Sequence, residues 1–212
     1  MPHRPRNGSQ KVLSYLTCYQ NPLDPAADRG SSDYDQRHVF ALSAVYDLPD
    51  PTKNLNSRVL SAFLGNWEVS SIVSAQTGTP YTVYTGIDAS FTAAGADRPD
   101  LVGNPSLSGG RSRAEQIAEY INTSAFEANT GHFGSLGRNT LTNPGLLNFD
   151  LGLFKNIPIR EQMNVQFRAE FFNAFNHTQL FGPVNTFVSP AFGQIVSARD
   201  PRLIQFALKF AW

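Results

Sequence analysis

From Ile204 to Trp212 the chain alternates without a break. Ile204, Phe206, Leu208, Phe210 and Trp212 fall on one side, and Gln205, Ala207, Lys209 and Ala211 on the other. A period of two is the signature of a strand. Its bulky apolar row runs to the final residue, where a soluble edge strand would expose unpaired backbone and apolar surface together, an arrangement that invites aggregation. Two media accommodate such a row. One is lipid, with the Lys209 side turned to a wet interior. The other is the core of a soluble sandwich.

The same period recurs upstream. Arg37 to Pro49 is predicted as a strand with Phe40, Leu42, Ala44 and Tyr46 on one face and Arg37 and Asp47 on the other. Trp67, Val69, Ser71, Val73 and Ala75 alternate against Glu68, Ser70, Ser74 and Gln76, with Ile72 out of pattern; Tyr81 to Thr85 is expected to extend this strand beyond a bend at Gly78 and Pro80. Leu147, Phe149, Leu151 and Leu153 oppose Asn148, Asp150, Gly152 and Asn156, and Met163, Val165, Phe167, Ala169 and Phe171 oppose Gln162, Asn164, Gln166, Arg168 and Glu170. A tight turn at 158–160, with Ile157 paired to Glu161, would set Asp150 across from Arg168 and Leu151 across from Phe167.

Between strands lie turn-rich stretches. Residues 1–35 read as loop, the first 17 as a non-native start. Gly86 to Gly145 is long, polar and Gly-rich, with one helix expected at Ser112 to Tyr120 because Ser112 and Glu115 have capping-box spacing. Asn173 to Asp200 is a second long loop. So long a loop is foreign to a compact soluble domain and ordinary outside a barrel. Charged residues make up 16% of the chain, below the usual share of about 25%. Lys and Arg balance Asp and Glu at 17 each, so the charge pattern gives no case for nucleic acid as a partner. No run of eighteen apolar residues provides a transmembrane helix, and the single cysteine, Cys18, rules out an internal disulfide. No signal peptide is recognisable at the start, so an export signal is expected outside the sequence given.

When each strand takes the register that gathers its apolar residues, Arg37, Asp47, Glu68, Asp150, Arg168, Glu170 and Lys209 all fall on the polar face. Lys155 is the exception, near a strand end from which it could snorkel. If the last strand ends in the periplasm, the connections 49–64 and 158–160 are periplasmic, and 86–145 and 173–202 are extracellular. Short inside and long outside is the pattern of outer-membrane barrels. The same topology gathers Tyr46, Trp67 and Trp212 at the periplasmic rim, as an aromatic girdle would be.

DYDQRHVFALSAVYDLP (33–49), LGNWEVSSIVSAQTGTPYTV (64–83), NTSAF (122–126), GSLGRNTLTNPGLLNFDLGLFKN (134–156), QFRAEFFNAFNHTQLFGP (166–183) and FGQIVSARDPRLIQFALKF (192–210) follow one another. In order and spacing they resemble the carboxy-terminal barrel of TonB-dependent receptors of the Oar-like type. The final strand is similar to the terminal strand that the outer-membrane assembly machinery reads, carried here by Ile204, Phe206, Leu208, Phe210 and Trp212. The resemblance implies an all-β antiparallel meander of about five long strands, one wall segment of a plugged barrel of about 22 strands. Residues 36–212 would be the carboxy-terminal fragment of such a transporter, located in the Gram-negative outer membrane. Its partners would be outer-membrane lipid, the barrel assembly machinery and, through amino-terminal parts outside this sequence, TonB. The fragment alone is not expected to transport.

Candidate chemistry is sparse. Asp150, Arg168 and Glu170 have the composition of an acid–base set, but with Lys209 they are expected to form a hydrogen-bonded lumenal ladder. His177, His132 and His38 lack neighbours with metal-ligand spacing, and GSLGRN has no P-loop lysine. No catalytic residue, metal or cofactor is expected. Tyr81, Tyr84, Phe91 and Phe133 are loop aromatics available for ligand capture. The competing reading is a secreted all-β module, such as a carbohydrate-binding sandwich, with its site on the loops.

Overall fold

The computed structural model describes residues 19–52, 58–93, 95–160 and 163–212. The expected non-native start at 1–17, Cys18, Glu161 and Gln162 lie outside them. In chain order the strands are β1 (Val39–Asp47), β2 (Trp67–Gln76), β3 (Pro80–Tyr81), β4 (Asp100–Leu101), β5 (Phe126–Glu127), β6 (Leu141–Thr142), β7 (Leu146–Arg160), β8 (Met163–Phe172) and β9 (Leu203–Ala211). Two short α-helices, Arg58–Leu64 and Arg113–Ala118, and two 3-10 turns complete the regular structure of the described residues. Neither helix is long and apolar enough to cross a membrane. The chain divides into two units, one of residues 37–77, 145–179 and 199–212, the other of the remainder.

The first unit is a five-stranded antiparallel sheet in the order β1-β2-β7-β8-β9. Strands β1 and β9 have nine residues, and β2 and β8 have ten. A tilted strand of about 9–11 residues crosses the hydrocarbon of a bilayer. The expected meander is present, with one change of register. Ile157 pairs with Val165, Arg168 stands opposite Phe154, and Leu151 opposite Phe171, so Asp150 is not across from Arg168. The cause is Pro158. Strand β7 does not turn there but continues to Arg160, with a pairing irregularity between Pro158 and Arg160, the kind of place a ladder tolerates proline. The slip is four residues, an even number, so every side chain keeps its expected face.

One further expectation changes. Tyr81 does not prolong β2; Pro80–Tyr81 pairs instead with Leu141–Thr142. The 49–64 connection, for which the sequence suggested no element, carries the helix Arg58–Leu64.

The second unit is built from the stretches expected as loops. Its core gathers Val83, Ile121, Ala125, Phe126, Leu136 and Leu141 around Tyr81. Phe192 meets Phe126 and Phe187 edge-on at 5.4 Å each, the geometry that aromatic quadrupoles favour. Strand pairs β3-β6 and β4-β5 belong to this unit. The helix Arg113–Ala118 starts with the expected capping box between Ser112 and Glu115. Residues 19–35 are not a loose loop. Asp28 forms a buried ion pair with Arg98 and accepts a hydrogen bond from the Gln20 amide at 2.9 Å. Asn139 donates to Ser31 O at 2.7 Å and to Asp33 at 2.6 Å.

Leu136 is fully buried in this core. Leu136→Ala is expected to destabilise the unit by about 2–5 kcal/mol. Hydrogen exchange would read this as lost protection across residues 120–142, with the amides of β7, β8 and β9 unchanged.

Candidate functional site

Lateral pairing turns five separate alternations into two faces. On one, Phe40, Leu42, Ala44 and Tyr46 of β1 stand beside Ala75, Val73, Ser71 and Val69 of β2; these in turn stand beside Leu147, Phe149, Leu151 and Leu153 of β7. Leu151, Leu153 and Ile157 meet Phe171, Ala169 and Val165 of β8, which meet Ile204, Phe206 and Phe210 of β9. Phe167 stacks on Phe206 at 6.2 Å, and Phe210 packs on Trp212 at 5.7 Å. No second sheet covers this face among the described residues: Phe206 is 67% exposed, Leu208 75% and Trp212 87%. So wide an apolar surface, far beyond what a water-soluble monomer shows, marks a lipid or protein contact.

The opposite face is polar. Glu68, Ser70 and Ser74 of β2 share it with Asn148, Asp150 and Asn156 of β7, with Gln166, Arg168 and Glu170 of β8, and with Gln205 and Lys209 of β9. Its hydrogen bonds run through amides rather than between the four expected ladder residues. Gln166 donates to Asn156 at 2.9 Å, and Arg168 Nε donates to Gln166 at 2.6 Å while lying over the Phe154 ring at 5.5 Å. Asp150 accepts from Asn148 at 2.9 Å and from the Asn173 amide at 2.8 Å. Glu170 stands between Gly152 and Gln205, and Lys209 beside Gln166. No ion pair joins Asp150, Arg168, Glu170 and Lys209 among the described residues. Gly152 leaves room for its neighbours, since a Cβ would fall 2.5 Å from Ser70 Oγ and 2.7 Å from the Phe154 ring and those side chains would have to shift.

A two-faced antiparallel sheet of bilayer-length strands, apolar outside and amide-lined on the other side, is the wall of a membrane barrel. The profile of the family described as outer membrane beta barrel domain matches residues 6–205. The chain belongs to this family. It is located in the outer membrane of a Gram-negative bacterium. Neither curated proteins nor solved structures give a match. Among the described residues the five strands of this outer membrane beta barrel domain form an open sheet, with no strand paired to the outer edges of β1 and β9, and membership of the family sets aside the secreted module.

At the end of the sheet where β1 leads into β2, a hollow of about 560 Å³ is lined by Asp47, Asp50, Asn66, Asn156 and Asn164. Asn164 Oδ1 is buried there without a hydrogen-bond partner. In the second unit a hollow of about 380 Å³ is lined by Ser106, Arg111, Gln116, Tyr120 and Thr142. Arg111 is not available to an anion there, because its guanidinium donates to the carbonyls of Ser108, Glu115, Glu119 and Tyr120. Of the aromatics expected to capture ligand, Tyr81 is a core residue, with burial raising its phenol pKa, and burial also raises that of half-buried Tyr84. Phe91 is exposed in a left-handed conformation, φ 60°. Asp88 holds that conformation by accepting from the amides of Thr92 and Ala93 at 3.0 and 3.1 Å.

No cluster of metal-ligating side chains occurs among the described residues. His38 closes the strand end against Thr77, and His177 belongs to a turn in which Asn173 bonds both its amide and its carbonyl. His132 has the one acidic partner that spacing did not reveal: its Nε2 lies 2.8 Å from Asp100 Oδ2. The hydrogen bond to Asp100 raises the imidazole pKa above its ordinary value, and the same bond lowers that of Asp100. The pair is therefore complete between the two shifted values. Its contribution to holding β4 against residues 130–135 fades as pH rises through the His132 value or falls through that of Asp100. In an NMR titration, Asp100→Asn is expected to lower the His132 pKa toward the ordinary histidine value, since the largest cause of its rise is removed; an unchanged titration would exclude the pairing.

Proposed function

We propose that this outer membrane beta barrel domain is a wall segment of a TonB-dependent receptor of the Oar-like type, which takes up a ligand across the outer membrane using TonB-coupled energy. The observation that carries the reading is the asymmetry of the connections. Two residues separate β7 from β8, and the stretch bearing the helix Arg58–Leu64 lies between β1 and β2. The two connections at the other end, β2 to β7 and β8 to β9, contain most of the second unit. Tyr46, Trp67 and Trp212 all belong to the short-connection end, which in this reading faces the periplasm with its aromatic girdle. The order of the six sequence segments that resemble the family adds independent support.

Each face then has a role. The Phe206–Trp212 row contacts lipid, and its resemblance to the strand that the assembly machinery reads makes it the segment that machinery recognises. Asp150, Arg168, Glu170 and Lys209 line the lumen, where wetted side chains keep an aqueous route compatible with a plug. The plug and the TonB contact are assigned to other parts of the receptor, and no enzymatic role is assigned. The second unit presents its surface to the ligand.

Two measurements test this. Leu208→Arg, near the middle of β9 on the lipid side, is expected to cost about 2–4 kcal/mol of stability in the membrane, whereas Gln205→Arg on the lumenal side, opposite Glu170, is tolerated. Equal effects would exclude lipid contact for this row. In the native host, uptake of the receptor's ligand should be lost on deletion of this gene and equally on loss of TonB or of the proton-motive force. Uptake that survives de-energisation would make the barrel a passive pore.

A further inference from the structure

The helix Arg58–Leu64 has no part in closing the sheet, yet it is fastened to it by side chains of the apolar face. Trp67 and Lys155 are neighbours across β2 and β7 on that face. Trp67 Nε1 donates to the carbonyl of Phe63 at 2.9 Å, and Lys155 Nζ donates to that of Gly65. These are carbonyls of the helix's last turn and its exit, where chain ends leave acceptors unsatisfied and where a cation is favoured by the helix dipole. Lys155 Nζ also lies 5.5 Å from the centre of the Trp67 ring, and the residue is only 5% exposed. Asn66, at φ 55°, turns the chain from the helix into β2. Gly65 admits Asp50, which a Cβ would meet at 2.7 Å. The helix is therefore held in one place on the wall.

What it presents outward is apolar. Leu60, Phe63 and Leu64, spaced i, i+3 and i+4, share one helix face, and all three are exposed, Phe63 to 71%. In water that arrangement leaves three large apolar side chains unburied. The surface is continuous with the apolar face of the sheet through Trp67, and tryptophan is the residue characteristic of the membrane–water boundary. An amphipathic helix at that boundary buries its apolar side about 5–10 Å into the headgroup and acyl region. We infer that Arg58–Leu64 is an interfacial anchor that lays Leu60, Phe63 and Leu64 into the phospholipid leaflet bordering the short-connection end of the wall. The inference rests on the reading that the Phe206–Phe210 row faces lipid, and it adds a second, lateral contact that fixes how deep the wall sits.

The test uses the full chain in vesicles of phosphatidylethanolamine and phosphatidylglycerol, with Cys18→Ser and single nitroxide-labelled cysteines at Leu60, Phe63, Ala62 and Leu208. Collision with oxygen reports lipid, and collision with a water-soluble nickel chelate reports water. Labels at Leu60 and Phe63 are expected to favour oxygen several-fold, with the label at Ala62, on the other side of the helix, favouring the chelate. Chelate access at Phe63 equal to that at Ala62 would place the helix in water. Exclusion of both reagents at Phe63 would place it against protein; either result overturns the anchor. Leu208 separates the two readings. If its label favours oxygen while that of Phe63 does not, only the anchor fails. If Leu208 itself favours the chelate, the lipid-facing wall fails, and the anchor with it.

Discussion

In hydrocarbon there is no water to satisfy a backbone amide or carbonyl, and each one left unpaired costs several kcal/mol. That constraint underlies the sheet. β2, β7 and β8 are paired on both edges, and pairing fixes which residues are neighbours. Once neighbours are fixed, parity does the sorting, because a strand has only two sides. A one-residue slip of β8 would carry Gln166, Arg168 and Glu170 into the row now occupied by Val165, Phe167 and Phe171. The register is therefore held from two directions, by hydrogen bonds along the backbone and by the cost of placing a guanidinium in lipid.

The faces were legible in the sequence because parity is local: Phe206, Leu208 and Phe210 announce their side without reference to any other strand. Register was not. It depends on where β7 stops, and Pro158 suggested a turn where the strand continues to Arg160 with an irregular pairing. The error preserved the faces because it was even. The core of the second unit left no comparable trace. Tyr81, Val83, Ile121, Leu136 and Leu141 come together from distant positions, and no period links them. The Arg98–Asp28 and Asn139–Asp33 contacts span gaps of 70 and 106 residues. The helix Arg58–Leu64 did carry a signal, the i, i+3, i+4 spacing of Leu60, Phe63 and Leu64, but a seven-residue segment is too short for periodicity to stand out.

That the long connections fold into a unit of their own follows from the same economy. Loop closure grows only slowly more costly with length, so a barrel tolerates large insertions between its strands. An exposed insertion of such length, if left as coil, would keep its backbone hydrated and its shape undefined. Here a small apolar core, two strand pairs and paired buried charges give it shape. Gly134 shows how tight this is: a Cβ there would meet the carbonyls of Arg98 and Pro99, so the two segments run backbone against backbone.

Lys155 is the one charged side chain on the apolar face among the described strand residues, and it is the point at which the sorting rule and the helix explain each other. A lysine facing lipid is expected to snorkel toward water. This one does not reach out; it is covered, its ammonium bonded to Gly65 O beneath the Trp67 ring. A buried ammonium is tolerated only where a fixed acceptor replaces its hydration, and the exit of a helix supplies that acceptor together with a favourable dipole. The charge thus locates the helix as much as the helix shelters the charge. A wall without the helix would expose Lys155 at the membrane boundary, and a helix without Lys155 would leave the carbonyl of Gly65 to find water at the edge of a lipid phase. An apparent violation of the apolar face is the contact by which that face extends beyond the ends of its strands.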